Sequence, residues 1–168
     1  MKLTIRTATA ADARDFAHVL CESWKEAYKQ IITPEEMARN TNVEKRAALL
    51  EQWIPSGRGQ YFLAYDGETP CGCCSVCPSR DEGMEGFGEV VAIYTLAAYW
   101  GKQVGKPLMD RAVESLRAQG FQDIMLWAFE ANARARRFYE KYGFVFDGTY
   151  KDSGLNGAKE VRYRLLAK

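Results

Sequence analysis

The chain has 168 residues, of which 47% are hydrophobic and 27% charged, and its formal net charge is +1. This composition is typical of a globular protein with a sizeable core, and it disfavours long disordered segments. Basic residues are spread along the chain, so no concentrated positive face for nucleic acid is predicted. The sequence shows neither a signal peptide nor an apolar run long enough to cross a membrane. We therefore expect a cytoplasmic protein that binds neither nucleic acid nor a membrane.

Hydrophobic periodicity and capping residues predict the following elements in chain order. They are a strand over 3–7, helices over 10–28, from 34 and over 43–53, strands over 61–65 and 71–77, a strand over 89–96, a helix over 104–119, a strand over 121–129, a helix over 132–142, and strands over 144–149 and 160–166. Thr33 is predicted to cap the second helix, and Gly120 and Gly143 to end the last two.

The order of these elements predicts the fold class. Three consecutive strands indicate antiparallel neighbours, and the strand–helix–strand unit after Glu89 indicates a parallel crossover. We expect an α/β (mixed α+β) fold with a central, mostly antiparallel sheet of about seven strands flanked by about four helices. No repeat or linker divides the chain, so residues 1–168 are expected to form a single domain.

Four of the five cysteines lie close together, and the fifth is Cys21. An odd number without a secretory signal indicates free thiols. Strand alternation predicts Cys71, Cys73 and Cys77 on one face and Cys74 on the other. Because no second pair of ligands accompanies them, we interpret them as small buried hydrophobic residues and expect no metal.

Residues 99–106 connect a strand to a helix through two glycines. Such a loop exposes backbone N–H groups and directs the helix dipole at its ligand, which favours an anion such as a diphosphate. Lys102 and Lys106 add positive charge. A P-loop is excluded, because only three residues separate Gly101 from Gly105 and Pro107 follows the lysine. A surface connection with glycines for turn geometry remains the alternative.

The loop resembles the coenzyme-A-binding motif [Q/R]-x-x-G-x-[G/A] of the GNAT acetyltransferase superfamily, which maps onto residues 100–105. Trp100 stands where the family usually has Gln or Arg, and Gln103 stands where it has the first glycine. Trp100 is expected to contribute its backbone N–H, whereas Gln103 places a side chain where the diphosphate would approach.

Residues 126–144 resemble the family segment N-x-x-A-x-x-x-Y-x-x-x-G-F. The matching residues in register are Asn132, Ala135, Tyr139, Gly143 and Phe144. Weaker similarity at the first strand, the first long helix and Arg162–Tyr163 extends the resemblance over nearly the whole chain. It implies a GNAT fold and an acetyl-CoA-dependent N-acetyltransferase.

The resemblance also implies direct transfer from acetyl-CoA to a bound amine, with a role for each candidate residue. Glu89 is the candidate general base, unless it is only a solvated glutamate at a strand start. Tyr139 is the candidate acid for the leaving thiolate, unless it is a core aromatic. The residues expected to bind the cofactor are Ile93, Tyr94, Thr95, Trp100, Gly101, Lys102, Gln103, Val104, Gly105, Lys106, Asn132, Ala135 and Tyr139. Asn132 has a plain helix cap as its alternative role.

The acceptor is expected to be an amine of a small molecule or peptide. Residues 24–40, the loop over 80–88 with Asp81, Glu82 and Glu85, and the final hairpin are expected to select it. We expect a monomer or homodimer. Two other functions remain open, namely a non-catalytic acyl-CoA-binding or regulatory module, and an interaction subunit with no coenzyme-A affinity.

Overall fold

A computed structural model describes residues 1–168 and contains seven strands and five α-helices. In chain order they are β1 (Leu3–Thr7), α1 (Ala13–Ala27), α2 (Pro34–Asn40), α3 (Val43–Trp53), β2 (Gln60–Asp66), β3 (Thr69–Pro78), β4 (Phe87–Thr95), α4 (Gly105–Ala118), β5 (Asp123–Phe129), α5 (Ala133–Tyr142), β6 (Val145–Asp152) and β7 (Lys159–Leu165). No helix has both the length and the apolar character needed to span a bilayer.

The strands form one sheet in the order β1-β2-β3-β4-β5-β7-β6. Every neighbouring pair is antiparallel except β4 and β5. These two strands run parallel and are connected through helix α4. The predicted α/β class and mostly antiparallel seven-stranded sheet are therefore confirmed. The structure contains all five helices predicted in chain order, one more than the figure of about four given with the fold class.

Local sequence signals explain where several elements begin and end. The Thr33 hydroxyl accepts from the Glu36 N–H, and the Glu36 carboxylate accepts from the Thr33 N–H, which together form a capping box. Gly120 and Gly143 follow α4 and α5 with φ of 98° and 123°, a region that costs glycine little. These predicted helix ends are confirmed.

The sheet separates two apolar layers. On one face, α4 buries Leu108, Met109 and Leu116 against the central strands. On the other face, α1 and α3 bury a second cluster that includes Phe16 and Leu50. Full burial of each such side chain contributes roughly 1.5–3 kcal/mol, so both faces hold the sheet in place.

The cysteine prediction for β3 is partly wrong. Cys73 and Cys74 do lie on opposite faces, but Cys71 shares the α4 face with Cys74. The reason is a bulge: Tyr65 pairs with Pro70 and Ala64 with Gly72, which leaves Cys71 as an extra residue. An extra residue reverses the alternation on one side of it, and the sequence carries no mark of it.

The parallel pair β4–β5 is short, and this shapes the rest of the molecule. The two strands are paired only from Phe87–Asp123 to Glu89–Met125, although β4 continues to Thr95. Val91 is an extra residue in the β3–β4 ladder, because Val76 pairs with Val90 and Ser75 with Ala92. Beyond Glu89 the strands diverge and leave a gap in the middle of the sheet.

Candidate active site

A cleft of about 1190 Å³ opens at the gap between β4 and β5. Its walls come from the end of β4, the loop before α4, and the first two turns of α5. Of the residues predicted to bind the cofactor, it brings together Ile93, Tyr94, Thr95, Trp100, Gly101, Gln103, Val104, Gly105, Lys106, Asn132, Ala135 and Tyr139. Lys102 is the predicted residue that does not line it.

The loop before α4 presents several backbone donors with no protein acceptor. They are the N–H groups of Gly101, Gln103, Val104, Gly105 and Lys106. The last two belong to the first turn of α4, where N–H groups have no partner within a helix. Unpaired donors at a helix N-terminus, together with the helix dipole, make a site suited to an anion.

Two residues with positive φ aim these donors. Gly101 has φ 76° and Gln103 has φ 61°, followed by Val104 in the right-handed helical region. Adjacent left- and right-handed residues form a nest, a concave backbone in which successive N–H groups converge. The Gln103 side chain is exposed. Gln103 thus adopts the left-handed backbone conformation that the usual glycine would adopt more easily.

One detail of the loop prediction is wrong. The N–H of Trp100 donates to Ala97 O at 3.1 Å, and that of Lys102 to Tyr99 O at 3.1 Å, so neither is free. Both acceptor carbonyls belong to a 3₁₀ turn over Ala97–Tyr99, and no sequence pattern predicted this turn. The Trp100 side chain contacts the cleft instead: its Nε1 donates to Thr95 O at 3.1 Å.

The cations around the loop differ in how far they are neutralised. Lys106 pairs with Asp110 at 2.8 Å, and Asp110 also accepts from the Tyr142 hydroxyl at 2.7 Å. Burial raises the pKa of Asp110, but these two hydrogen bonds outweigh it and lower the pKa. Lys102 lies over the Tyr99 ring at 5.3 Å and has no carboxylate partner.

Tyr139 projects from α5 into the cleft. Its ring packs against Phe138, Phe144 and Tyr163 at centroid distances of 5.6, 6.1 and 6.0 Å. Its hydroxyl makes no hydrogen bond to the protein, although the residue is buried. Burial raises the pKa of Tyr139 well above its usual value, which keeps the phenol protonated. The Tyr139 phenol is thus free to donate a hydrogen bond to whatever occupies the cleft.

Asn132 is the N-cap of α5, and its Oδ1 accepts from the Ala135 N–H at 3.2 Å. The helix-cap interpretation is therefore confirmed, and the amide nitrogen remains without a protein partner beside the cleft.

On β4, Leu96 N–H donates to Cys71 O of β3. Because peptide groups alternate sides along a strand, those of Ile93 and Thr95 face the gap and that of Tyr94 faces β3.

Glu89 lies in the last paired row before the strands diverge. Its side chain is only 2% exposed and accepts three hydrogen bonds from Arg80, two to Oε2 at 3.1 Å and one to Oε1 at 2.7 Å. The carboxylate does not line the cleft. The interpretation of Glu89 as a solvated strand-start residue is wrong, because β4 begins two residues earlier, at Phe87, and Arg80 covers the side chain.

Two of the segments expected to select the acceptor, residues 24–40 and the final hairpin, meet at the other side of the gap. Tyr28, Ile32 and Phe129 form an apolar cluster there, joined by Trp24 and by residues of the β6–β7 loop. The Tyr28 hydroxyl donates to that of Tyr94 at 3.1 Å. A small cavity lined by Tyr28, Trp127, Phe129 and Tyr139 connects this cluster with the main cleft.

Asp81 in the β3–β4 loop is already occupied. Its Oδ2 accepts from Trp127 Nε1 at 2.8 Å and lies 3.4 Å from Arg162 NH1. The loop is also anchored by the buried side chain of Met84. Asp81 therefore holds the loop against β5 and β7, which leaves Glu82 and Glu85 as its exposed carboxylates.

Sequence reasoning missed Arg134, whose guanidinium lies 3.6 Å from the Trp100 ring centre, and the hydroxyl pair of Tyr28 and Tyr94. Arg134 is two residues from Asn132 in the family segment, and that proximity was the available signal. The contacts themselves join residues 34 and 66 positions apart, which no local pattern reveals.

The cysteines do not contribute to this site. All five have free thiols, and burial raises the pKa of each, including that of Cys71 to about 11. A raised pKa leaves little of the reactive thiolate at neutral pH. No group of three or more His, Cys, Asp or Glu side chains is arranged to hold a metal ion.

Comparison with known proteins gives one family. The model of the acetyltransferase (GNAT) family matches residues 19–144. The uncharacterized N-acetyltransferase YuaI of Bacillus subtilis is 30% identical over 142 residues, which cover 83% of this chain and 79% of YuaI. The N-acetyltransferase of Staphylococcus aureus Mu50 superposes with a TM-score of 0.80 at 17% identity, covering 100% of both chains. The PaiA N-acetyltransferase of Thermoplasma acidophilum, solved with coenzyme A, has a TM-score of 0.75 at 20% identity, covering 98% of this chain and 100% of PaiA.

Proposed function

This chain belongs to the acetyltransferase (GNAT) family, and from that premise we propose that it transfers the acetyl group of acetyl-CoA to a primary amine of a small molecule or peptide. The observation that carries the proposal is the row of five unpaired N–H groups at the start of α4, beside the gap that exposes the Tyr139 hydroxyl. The donors fit the diphosphate of coenzyme A, and the gap leads from them to the sheet interior.

Acetyl-CoA supplies the thioester, and the chain's own residues bind, orient and exchange protons. The loop over 101–106 would hold the diphosphate through its N–H groups. The peptide groups of Ile93 and Thr95 would orient the pantetheine arm and stabilise the oxyanion. Tyr139 would protonate the departing thiolate, since its phenol lines the cleft, stays protonated and has no acceptor in the protein. The apolar cluster around Tyr28 and Phe129 would receive the acceptor.

Glu89 is our candidate for the base that takes the amine proton. Three hydrogen bonds from Arg80 leave the carboxylate with room to accept one more. Because the carboxylate does not line the cleft, it would take the amine proton through a bridging water. We expect Glu89→Gln to lower kcat/KM at least tenfold. The control is Arg80→Met, which removes the same ion pair. Equal effects of both variants on activity and stability would assign Glu89 to structure alone.

The function is tested by measuring free thiol released from acetyl-CoA in the presence of amino acids, polyamines, aminoglycosides and peptides with free amino termini. We expect amine-dependent release with at least one class, and a product heavier by one acetyl group in mass spectrometry. Binding of acetyl-CoA without release for any class would favour the non-catalytic acyl-CoA-binding module. Because ligands that bind only the native state raise its melting temperature, an unchanged Tm with acetyl-CoA would contradict both functions.

We also propose that the protein acts in the cytoplasm. Its five cysteines are all unpaired, as is usual where glutathione and thioredoxin keep thiols reduced. Recovery of the tagged protein outside the cytoplasmic fraction of its own cells would contradict this location.

A further inference from the structure

Trp100 occupies the motif position where the family usually has Gln or Arg, and its surroundings suggest what replaces that side chain. At its edge, the indole is held by the hydrogen bond from Nε1 to Thr95 O. Over its face, the Arg134 guanidinium lies 3.6 Å from the ring centre. Arg134 is the second residue of α5, so its side chain reaches across the cleft from α5 to the loop before α4.

Arg134 has no acceptor in the protein. It makes no hydrogen bond and no ion pair, whereas Arg80 has Glu89, and Arg162 and Arg164 share Asp147. The pKa values show the same contrast: Glu89 raises the pKa of Arg80, while partial burial lowers that of Arg134. A guanidinium carries five N–H donors, and stacking on an aromatic ring leaves them all available in the ring plane.

The two walls of the cleft therefore present matching features. One wall carries the unpaired N–H groups of residues 101 and 103–106, and the other carries an arginine without a counterion. Both line the same cleft. Lys106, which directly follows the motif, is already paired with Asp110 and contributes less charge than the sequence indicates.

We propose that Arg134 binds the diphosphate of the acyl donor from the α5 side and supplies the side-chain N–H donors that a Gln or Arg at position 100 would otherwise bring. Trp100 is the platform that holds the guanidinium in place. This inference rests on the proposed function, because it assumes that a coenzyme-A thioester enters the cleft. It adds a binding residue that lies outside the loop motif.

The test is calorimetric binding to wild type and Arg134→Met of four ligands: acetyl-CoA, acetyl-3′-dephospho-CoA, S-acetyl-4′-phosphopantetheine and S-acetylpantetheine. Loss of one charge-assisted contact predicts an affinity about tenfold to hundredfold lower for both ligands that contain the diphosphate. Affinity for S-acetylpantetheine, which lacks phosphate, should not change. Raising the salt concentration should weaken wild-type binding more than that of the variant.

Two further variants sharpen the result. Arg137→Met removes a neighbouring exposed arginine that does not line the cleft, and it should bind all four ligands like wild type. Adding Trp100→Arg to Arg134→Met returns an arginine to the motif position and should recover part of the lost affinity. Equal unliganded melting temperatures would show that all variants are folded.

Three outcomes overturn the inference. The first is that Arg134→Met binds acetyl-CoA as tightly as wild type does. The second is that Arg134→Met loses as much affinity for S-acetylpantetheine as for acetyl-CoA, which would mark a general disturbance of the cleft. A loss seen with acetyl-CoA but absent with the 3′-dephospho form would place Arg134 at the 3′-phosphate. Failure of wild type to bind any of the four ligands is a different result, because it contradicts the proposed function itself.

Discussion

Tyr139 combines two properties that are rarely found in one side chain of a protein core. Its ring is packed among three other aromatic rings, and its hydroxyl has no protein partner. Buried hydroxyl groups normally find a hydrogen-bond partner, because leaving one unpaired costs about 1–3 kcal/mol. A hydroxyl that faces a cleft avoids that cost through solvent or a ligand. The position is therefore better explained by an encounter with a ligand than by packing alone.

We expect Tyr139→Phe to lower kcat by roughly 10²-fold or more while the Kd for acetyl-CoA changes less than about threefold. The change removes a proton donor and keeps the ring, so packing and cofactor contacts persist. Steady-state kinetics together with calorimetry separate the two quantities. Tyr150→Phe, at an exposed position on β6, is the control and should match wild type. Comparable losses in kcat and in binding would remove Tyr139 from the role of acid.

At the scale of elements, the site depends on how closely α4 and α5 approach each other. Gly105 opens α4 directly against Phe138 of α5, and a Cβ atom there would lie 3.2 and 3.3 Å from two atoms of that ring. Such contacts are shorter than ordinary van der Waals distances, so either the Phe138 ring or the first turn of α4 would have to move by a few tenths of an ångström. The family motif has Gly or Ala at this position, and the ring of Phe138 explains why glycine is the better choice in this chain.

Gly105→Ala should therefore weaken acetyl-CoA binding by about threefold to tenfold, since it shifts the first turn of α4 and its free N–H groups. Stability should change by less than about 1 kcal/mol, because alanine's higher helix propensity offsets the contact. Adding Phe138→Leu makes room for the methyl group and should restore binding. Calorimetry and urea unfolding of the single and double variants check this. Unimpaired binding by Gly105→Ala would show that the helix spacing is not limiting.

At the scale of the whole molecule, a network of charged side chains links β6, β7 and the β3–β4 loop. Asp147 of β6 accepts from Arg162 Nε and Arg164 Nε of β7, each at 2.7 Å. Arg162 continues to Asp81, which anchors the β3–β4 loop. Burial raises the pKa of Asp147, but the hydrogen bonds from Thr149, Arg162 and Arg164 outweigh it and lower the pKa to about 2. The network thus couples three segments of the chain that are distant in sequence.

Because the pKa of Asp147 is lower in the folded state than its reference value near ~3.9, the ionised carboxylate stabilises the fold above about pH 4. This contribution is lost as the pH falls from about 4 towards 2. We expect Asp147→Asn to lower the free energy of unfolding at pH 7 by about 1–3 kcal/mol and to flatten its pH dependence in that window. Urea unfolding at several pH values measures both.

Asp152→Asn is the matched control for this network. Asp152 faces Lys159 at 3.9 Å on the surface, and exposed pairs of this kind contribute roughly 0–1 kcal/mol. It should unfold like wild type at every pH. A similar loss of stability in both variants would mean that the Asp147 network is no stronger than a surface ion pair.

The sequence by itself determined the order of the elements, the mixed sheet and most of the residues around the cleft. Those results depend on local physics: helix and strand periodicity, the cap at Thr33, and the glycines that end α4 and α5 all act within a few residues. The resemblance of residues 100–105 and 126–144 to GNAT motifs then indicated the two walls of the cleft. The location of Tyr139 and of the unpaired loop amides agrees with that expectation, while their roles remain proposals.

Only the tertiary structure decided which groups are free and which are occupied. The bulge at Cys71, the bonded N–H of Trp100, the cover of Arg80 over Glu89 and the stacking of Arg134 on Trp100 all depend on partners in other elements. A hydrogen bond or an ion pair requires its two atoms to lie within a few ångströms. That distance is set by how strands pair and helices pack, so no reading of neighbouring residues can supply it.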